Sequence, residues 1–160
     1  KRSISKSWRL DETYIKVKGK WTYYYRAVDK QGFTIDFFLS ERRNKTAAKR
    51  FLAKGIKRNS KPSIINIDKS GANTAGIIKY NKIKRKRIKI RRCKYLNNIV
   101  EQDHRFIKRI TRPMLGFKSF VSASITLAGI EIVRMLRKGQ SGVSNMSLMT
   151  LPDRFRLLAA

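Results

Sequence analysis

The stretch SIINID, residues 63–68, decides the fold. Its apolar positions do not alternate with polar ones. That is the pattern of a strand buried on both faces, at the centre of a sheet covered by helices on each side. The run ends on a carboxylate, Asp68, in a chain with 10 acidic residues against 39 basic ones. A carboxylate leaving an apolar run needs something positive to meet it.

Upstream of this run the pattern is that of a meander. WRLDETYIKVK, 8–18, mixes β-branched and aromatic residues with polar ones and reads as a strand. Gly19-Lys20 makes a turn, and WTYYYRAV, 21–28, reads as a second strand. Asp29 to Gly32 makes the next turn before a third strand, FTIDFFLS, 33–40. The period then changes. Asn44 caps a helix expected from Lys45 to about Lys57, with Ala47, Ala48, Phe51 and Leu52 as its stripe, and Pro62 closes that region.

Downstream, SGANTAGIIKYN, 70–81, begins with turn chemistry and continues as a weak helix. KRIKIRRCKY, 86–95, reads as a strand, and Asn97 and Asn98 as caps of a helix over 99–110 that Pro113 and Gly116 break. A last helix runs over 119–137, with Ile125, Ala128, Ile132 and Met135 near helical spacing, and Gly139 stops it. Residues 141–160 are not periodic and read as an irregular tail. The order implies an α/β domain over 1–140. Its mixed sheet has a three-stranded antiparallel meander plus further parallel strands, flanked by helices.

At 160 residues the chain can form one domain with a real core. A formal net charge of +29 favours polyanionic partners, nucleic acid first. The longest apolar run, 125–133, is interrupted by Glu131 and is too short for a membrane helix, so no membrane partner is expected. The single cysteine, Cys93, cannot form an internal disulfide, which fits a reducing compartment.

The acids divide by position. Asp29, Asp36, Glu41 and Asp153 read as turn-forming or exposed, and Glu131 as a salt-bridge partner. Asp11, Asp68 and Glu101 fit a joint account. In a mixed sheet the first and fourth strands can be neighbours, and a helix packed nearby can bring Glu101 to them. Three close carboxylates repel and call for a hard cation, Mg²⁺ or Mn²⁺. In a basic protein that arrangement suits attack on a phosphodiester. Taken singly, Asp11 reads rather as an edge device, Asp68 as a cap and Glu101 as a helix-dipole partner.

Glu101, Arg105, Lys108 and Arg112 recur at i, i+4, i+7 and i+11, on one helix face; Ile99, Phe106 and Ile110 share another. Lys108 can there hold a phosphate two turns from Glu101. The same spacing also suits a solvated face with a Glu101–Arg105 pair. KIKRKRIKIRRCK, 82–94, carries nine basic residues in thirteen positions. As a strand it would present Lys89 and Arg91 on one side, with Lys94 at its end, as a phosphate-binding stripe. TYYYR, 22–26, reads as core and cross-strand pairs rather than base-stacking residues.

WRLDETYIKVKGKWTYYYRAVD, INIDKSGANTA and CKYLNNIVEQDHRFIKRITRPMLGFKSF occur in this order and together resemble the catalytic domain of DDE transposases of bacterial insertion sequences. More narrowly, they resemble the sixth insertion-sequence family, over residues 7–140. The resemblance implies a ribonuclease H-like, integrase-core fold. It implies Asp11, Asp68 and Glu101 as catalytic ligands of two Mg²⁺ ions, with Mn²⁺ able to substitute, and Lys108 as the family's basic residue seven positions after the glutamate. Tyr95, Asn97, Asn98 and His104 become DNA or active-site neighbours; Glu12 and Asp103 accompany rather than ligate.

The implied partners are element ends, target DNA and a second copy of the chain, in the bacterial cytoplasm at the nucleoid. Relatives of this kind carry a helix-turn-helix region before the first aspartate. Ten residues precede Asp11 here, so the expectation is a truncated copy without specific end recognition. The alternatives are a basic nucleic-acid-binding protein without chemistry and, on the implied fold, a ribonuclease.

Overall fold

The run at 64–67 is the fourth of five strands and sits second from one edge of the sheet. The structure, a computed structural model, describes residues 4–68, 71–85, 87–140 and 149–159. The strands are β1 (Ser7–Val17), β2 (Lys20–Asp29), β3 (Thr34–Ser40), β4 (Ile64–Ile67) and β5 (Lys89–Arg92). Their order is β3-β2-β1-β4-β5. The β1–β2–β3 meander is antiparallel, and β4 and β5 add in parallel beyond β1. The helices are α1 (Lys45–Arg58), α2 (Gly71–Lys84), α3 (Lys94–Thr111), α4 (Phe120–Arg137) and α5 (Leu151–Ala159). The mixed sheet expected from the sequence is the one observed.

Each face of the sheet has its own core, as the unbroken run at β4 implied. On one face Trp8, Leu10, Tyr25, Ile65 and Ile67 pack against Phe51 and Leu52 of α1 and Ile77 of α2. On the other, Ile15, Val17, Tyr24 and Leu39 meet Ile107 of α3 and Ala123 and Leu127 of α4. Gly76 lets α2 approach α1, because a Cβ there would stand 2.6 Å from that of Ala48. Among the described residues no helix is long and apolar enough to cross a membrane.

Several expectations need correction. The helix expected at 99–110 begins at Lys94, with Cys93 as its N-cap. Asn97 and Asn98 therefore lie inside α3. Asn97 is drawn into the core, where its amide serves tertiary hydrogen bonds instead of a cap. The strand expected over 86–95 shrinks to 89–92, so the basic stretch 82–94 is no single stripe. Lys82 and Lys84 end α2, and Arg85 turns at φ 48°.

The buried face of α3 is Val100, His104, Ile107 and Thr111, with Ile99, Phe106 and Ile110 flanking it. On α4, Ala123, Leu127, Glu131 and Leu136 face inward, while Val121, Ile125 and Ile132 face solvent. Asp29 and Asp36 are buried, not exposed. Asp29 closes its turn by accepting the N–H groups of Gln31 and Phe33, and Asp36 lies 3.0 Å from Lys54 of α1. The tail read as irregular contains α5, tied to α4 through Arg154, which donates to the Leu136 carbonyl at 2.9 Å. Residues 141–148 lie outside the described ones.

Candidate active site

β4 pairs with β1 in parallel, and the register runs from Ser7↔Ile64 to Leu10↔Ile67. One step further along each strand stand Asp11 and Asp68. Parallel neighbours in register carry their side chains on the same side of the sheet, so the two carboxylates emerge beside each other at the end of β4. Two residues 57 positions apart become neighbours because, after the meander, α1 carries the chain from β3 at the sheet edge back across to β4 beside β1.

The face of α3 turned toward them is fixed by two contacts. Asn97 donates to the Leu10 carbonyl at 3.4 Å, and His104 Nε2 lies 3.4 Å from Asp11 Oδ2. Glu101 falls between these residues, one turn after Asn97 and one before His104, and therefore projects along the same flank of the helix. It is half-buried, whereas Asp68 is exposed. Asp11 and Asp68 thus stand beside each other at one end of the β1–β4 seam, and Glu101 lies on the flank of α3 that also carries Asn97 and His104. Among the described residues no three His, Cys, Asp or Glu side chains form a ready-made metal cage.

Asn66 and Asn97 form the joint beneath the site. Asn66 Nδ2 donates to Asn97 Oδ1 at 2.7 Å and to the Cys93 carbonyl at 2.8 Å, and its Oδ1 accepts from Arg91 at 3.2 Å. This buried amide pair locks β4, β1 and the start of α3 together. The sequence reading missed Asn66. A polar residue inside the apolar run IINI was the available signal, since a buried amide must be hydrogen-bonded.

Asn97 and His104 are 0% and 5% exposed, so they are buried side chains and not surface DNA contacts. Arg91 is half-buried by its bond to Asn66. Lys89, Lys94, Asn98, Arg105 and Arg112 are exposed, and Lys108 is half-exposed. Lys94 and Arg92 line a cleft of about 820 Å³ that opens beside Asp68.

The other acids are committed elsewhere. Glu12 points to the opposite face of β1, in an ion pair with Arg43 at 2.6 Å. Asp103 holds Arg26 at 3.0 Å, Arg134 at 2.9 Å and Lys138 at 2.6 Å. Arg26 is fully buried and also pairs with Glu131, which accepts from Tyr24 at 2.7 Å. Burial opposes the charge of Asp103, but its three cationic partners outweigh that and hold its carboxyl below the ordinary range. This network fastens α3 to β2 and α4, and so fixes the rotation of the helix that carries Glu101.

A family model described as a DDE domain, of the IS240 transposase type, matches residues 5–140. The chain is 43% identical over 133 residues to the transposase of the insertion sequence-like element IS431mec of Staphylococcus aureus, and equally to that of element IS257 in transposon Tn4003 from the same organism. Each match covers 82% of this chain, which spans 58% of the relative's length.

Among solved structures it is similar to the HTLV-2 integrase catalytic core domain in complex with magnesium. The trimeric form gives a TM-score of 0.62 at 18% identity over 95% of this chain and 98% of that one. The dimeric form gives 0.61 at 17% identity, over 90% and 93%. The fold is therefore the ribonuclease H-like one of integrase cores. The chain belongs to the DDE-domain family of insertion-sequence transposases.

Proposed function

We propose that this chain is the catalytic domain, residues 1–140, of a DNA transposase that cuts and joins phosphodiester bonds with Asp11, Asp68 and Glu101. The observation that carries the reading is the register of β4 on β1, which makes Asp11 and Asp68 neighbours under the Glu101 flank of α3. Their donor set is all carboxylate oxygen, the chemistry that suits Mg²⁺, with Mn²⁺ able to substitute. Two such ions, when bound, neutralise phosphate oxygens and lower the pKa of water or a hydroxyl.

The protein's own part is placement. His104 backs Asp11, the Asn66–Asn97 joint holds α3 on the sheet, and Lys108 holds a phosphate two turns from Glu101. The bond at an element end is hydrolysed to leave a 3′-hydroxyl. That hydroxyl then attacks a phosphodiester of target DNA, and the target strand leaves with its own 3′-oxygen. Exposed Lys89, Lys94, Arg105 and Arg112 supply the phosphate contacts. Bringing two ends together calls for two copies of the chain. The family and its bacterial relatives support a place in the bacterial cytoplasm, at the nucleoid.

The test is thermal unfolding with and without millimolar Mn²⁺, beside Mn²⁺-dependent nicking of duplex DNA, on this chain and on Asp68→Asn. Metal that binds only the folded state raises the midpoint. The expected result is a rise and nicking in the parent, both lost in the variant. DNA binding with neither response in the parent would instead make the chain a charge-driven binder.

A further inference from the structure

β4 stops at Ile67, opposite Leu10. Among the described residues β1 then has no strand neighbour on that side until Val17. There Phe117 bridges it, its N–H donating to the Lys16 carbonyl at 2.9 Å. Between these points a groove of about 600 Å³ follows the open edge, within the size range of small-molecule sites. It is lined by Tyr14, Lys16 and Trp21 of the β1–β2 hairpin, Lys108 and Arg112 from the end of α3, and Leu115. None of its lining residues is acidic.

The groove is open and unusually aromatic. Trp21 is 61% exposed and Tyr14 43%, and their rings stand edge to face at 6.3 Å. Flat aromatic faces beside cations, with no acidic residue in the lining, match a nucleotide. The base lies on the rings and the neighbouring phosphates meet the cations. The position agrees. Tyr14 lies three residues beyond Asp11 on β1, about 10 Å along the strand and on its other face, so it reaches the groove from across the open edge. Lys108 lies two turns from Glu101, again about 10 Å. A DNA strand bound at the carboxylates would pass the groove within a few nucleotides of the bond to be cut.

We propose that this groove receives an unpaired nucleobase of the bound DNA, stacked on Trp21 and Tyr14 while Lys16, Lys108 and Arg112 hold the phosphates beside it. The proposal rests on the reading of DNA as substrate and adds that the duplex is opened next to the cut.

Two tryptophans are present and Trp8 is 1% exposed, so the emission that solutes can reach belongs to Trp21. The full chain is titrated without metal with four oligonucleotides of equal length. These are an oligothymidylate, its abasic counterpart, a blunt duplex, and a duplex with a few unpaired nucleotides at one end. Oligothymidylate and the open-ended duplex are expected to quench Trp21 strongly, and the abasic strand and blunt duplex weakly. Trp21→Phe removes the quenching. Trp21→Ala weakens binding of unpaired bases roughly ten-fold and leaves the blunt duplex unchanged.

Equal quenching by the abasic strand overturns the proposal, since charge alone would explain it. So does a Trp21 shift that follows protein concentration without DNA, which would seat a second copy in the groove. The two readings separate cleanly. Asp68→Asn keeps the quenching if the groove is right. A chain that nicks DNA in Mn²⁺ with unchanged Trp21 emission retains its chemistry and loses the groove.

Discussion

Asn66 and Asn97 are both fully buried and answer each other's hydrogen-bonding needs across β4 and α3. Asn97→Ala leaves the Asn66 amide short of an acceptor, a loss of about 1–3 kcal/mol measurable by urea unfolding. It should also depress Mn²⁺-dependent nicking more than a loss of stability explains, because α3 carries Glu101. Gly76 makes a different kind of prediction. The Cβ of Gly76→Ala would meet Ala48 at 2.6 Å and the Lys49 backbone nitrogen at 3.1 Å. Neither can swing away, so overpacking should cost about 1–3 kcal/mol with little effect on DNA affinity. At this scale the sequence picked out candidate site residues. It did not show that Asn97 and His104 are internal, because a polar residue looks the same in a sequence whether it meets water or another amide.

The elements repeat that lesson. α1 was legible because its signals are local: Asn44 accepts from the N–H groups of Thr46 and Ala47, and the stripe Ala47, Ala48, Phe51, Leu52 packs as its spacing implies. α4 was legible as a helix but not in its rotation. Its inward face includes Glu131, buried because Arg26 and Tyr24 wait there. Ile125→Lys should therefore shift stability by about 0.5 kcal/mol or less, while Leu127→Ala should cost about 2–5 kcal/mol by denaturant unfolding. The same network gives a pH dependence. The folded-state pKa of Asp103 is held below its unfolded value of about 3.9. Its contribution is present above that pH and is lost as acid takes the pH down through the folded value. An acid titration of stability should show this loss, and Asp103→Asn should flatten it.

For the whole molecule, under the proposed function, a charge of +29 governs encounter with DNA. Affinity for duplex DNA should fall steeply and log-linearly with salt, read by filter binding or anisotropy, and a flat response would remove the phosphate-contact account. The basic residues of 82–94 lie on a helix end, a turn, a short strand and the start of α3, not on one strand. Bulk charge survives such rearrangement and local stripes do not. By itself the sequence determined the class of sheet, the meander, the buried β4 and the motifs that resemble the transposase domain. These depend on periodicity, turn chemistry and composition, which are properties of neighbouring residues. Only the tertiary structure decided which face of α3 and α4 turns inward, which acids are buried in ion pairs, and that the early end of β4 opens a groove along β1. Those depend on contacts between residues tens of positions apart, where burial and pairing are settled by the partner and not by the residue.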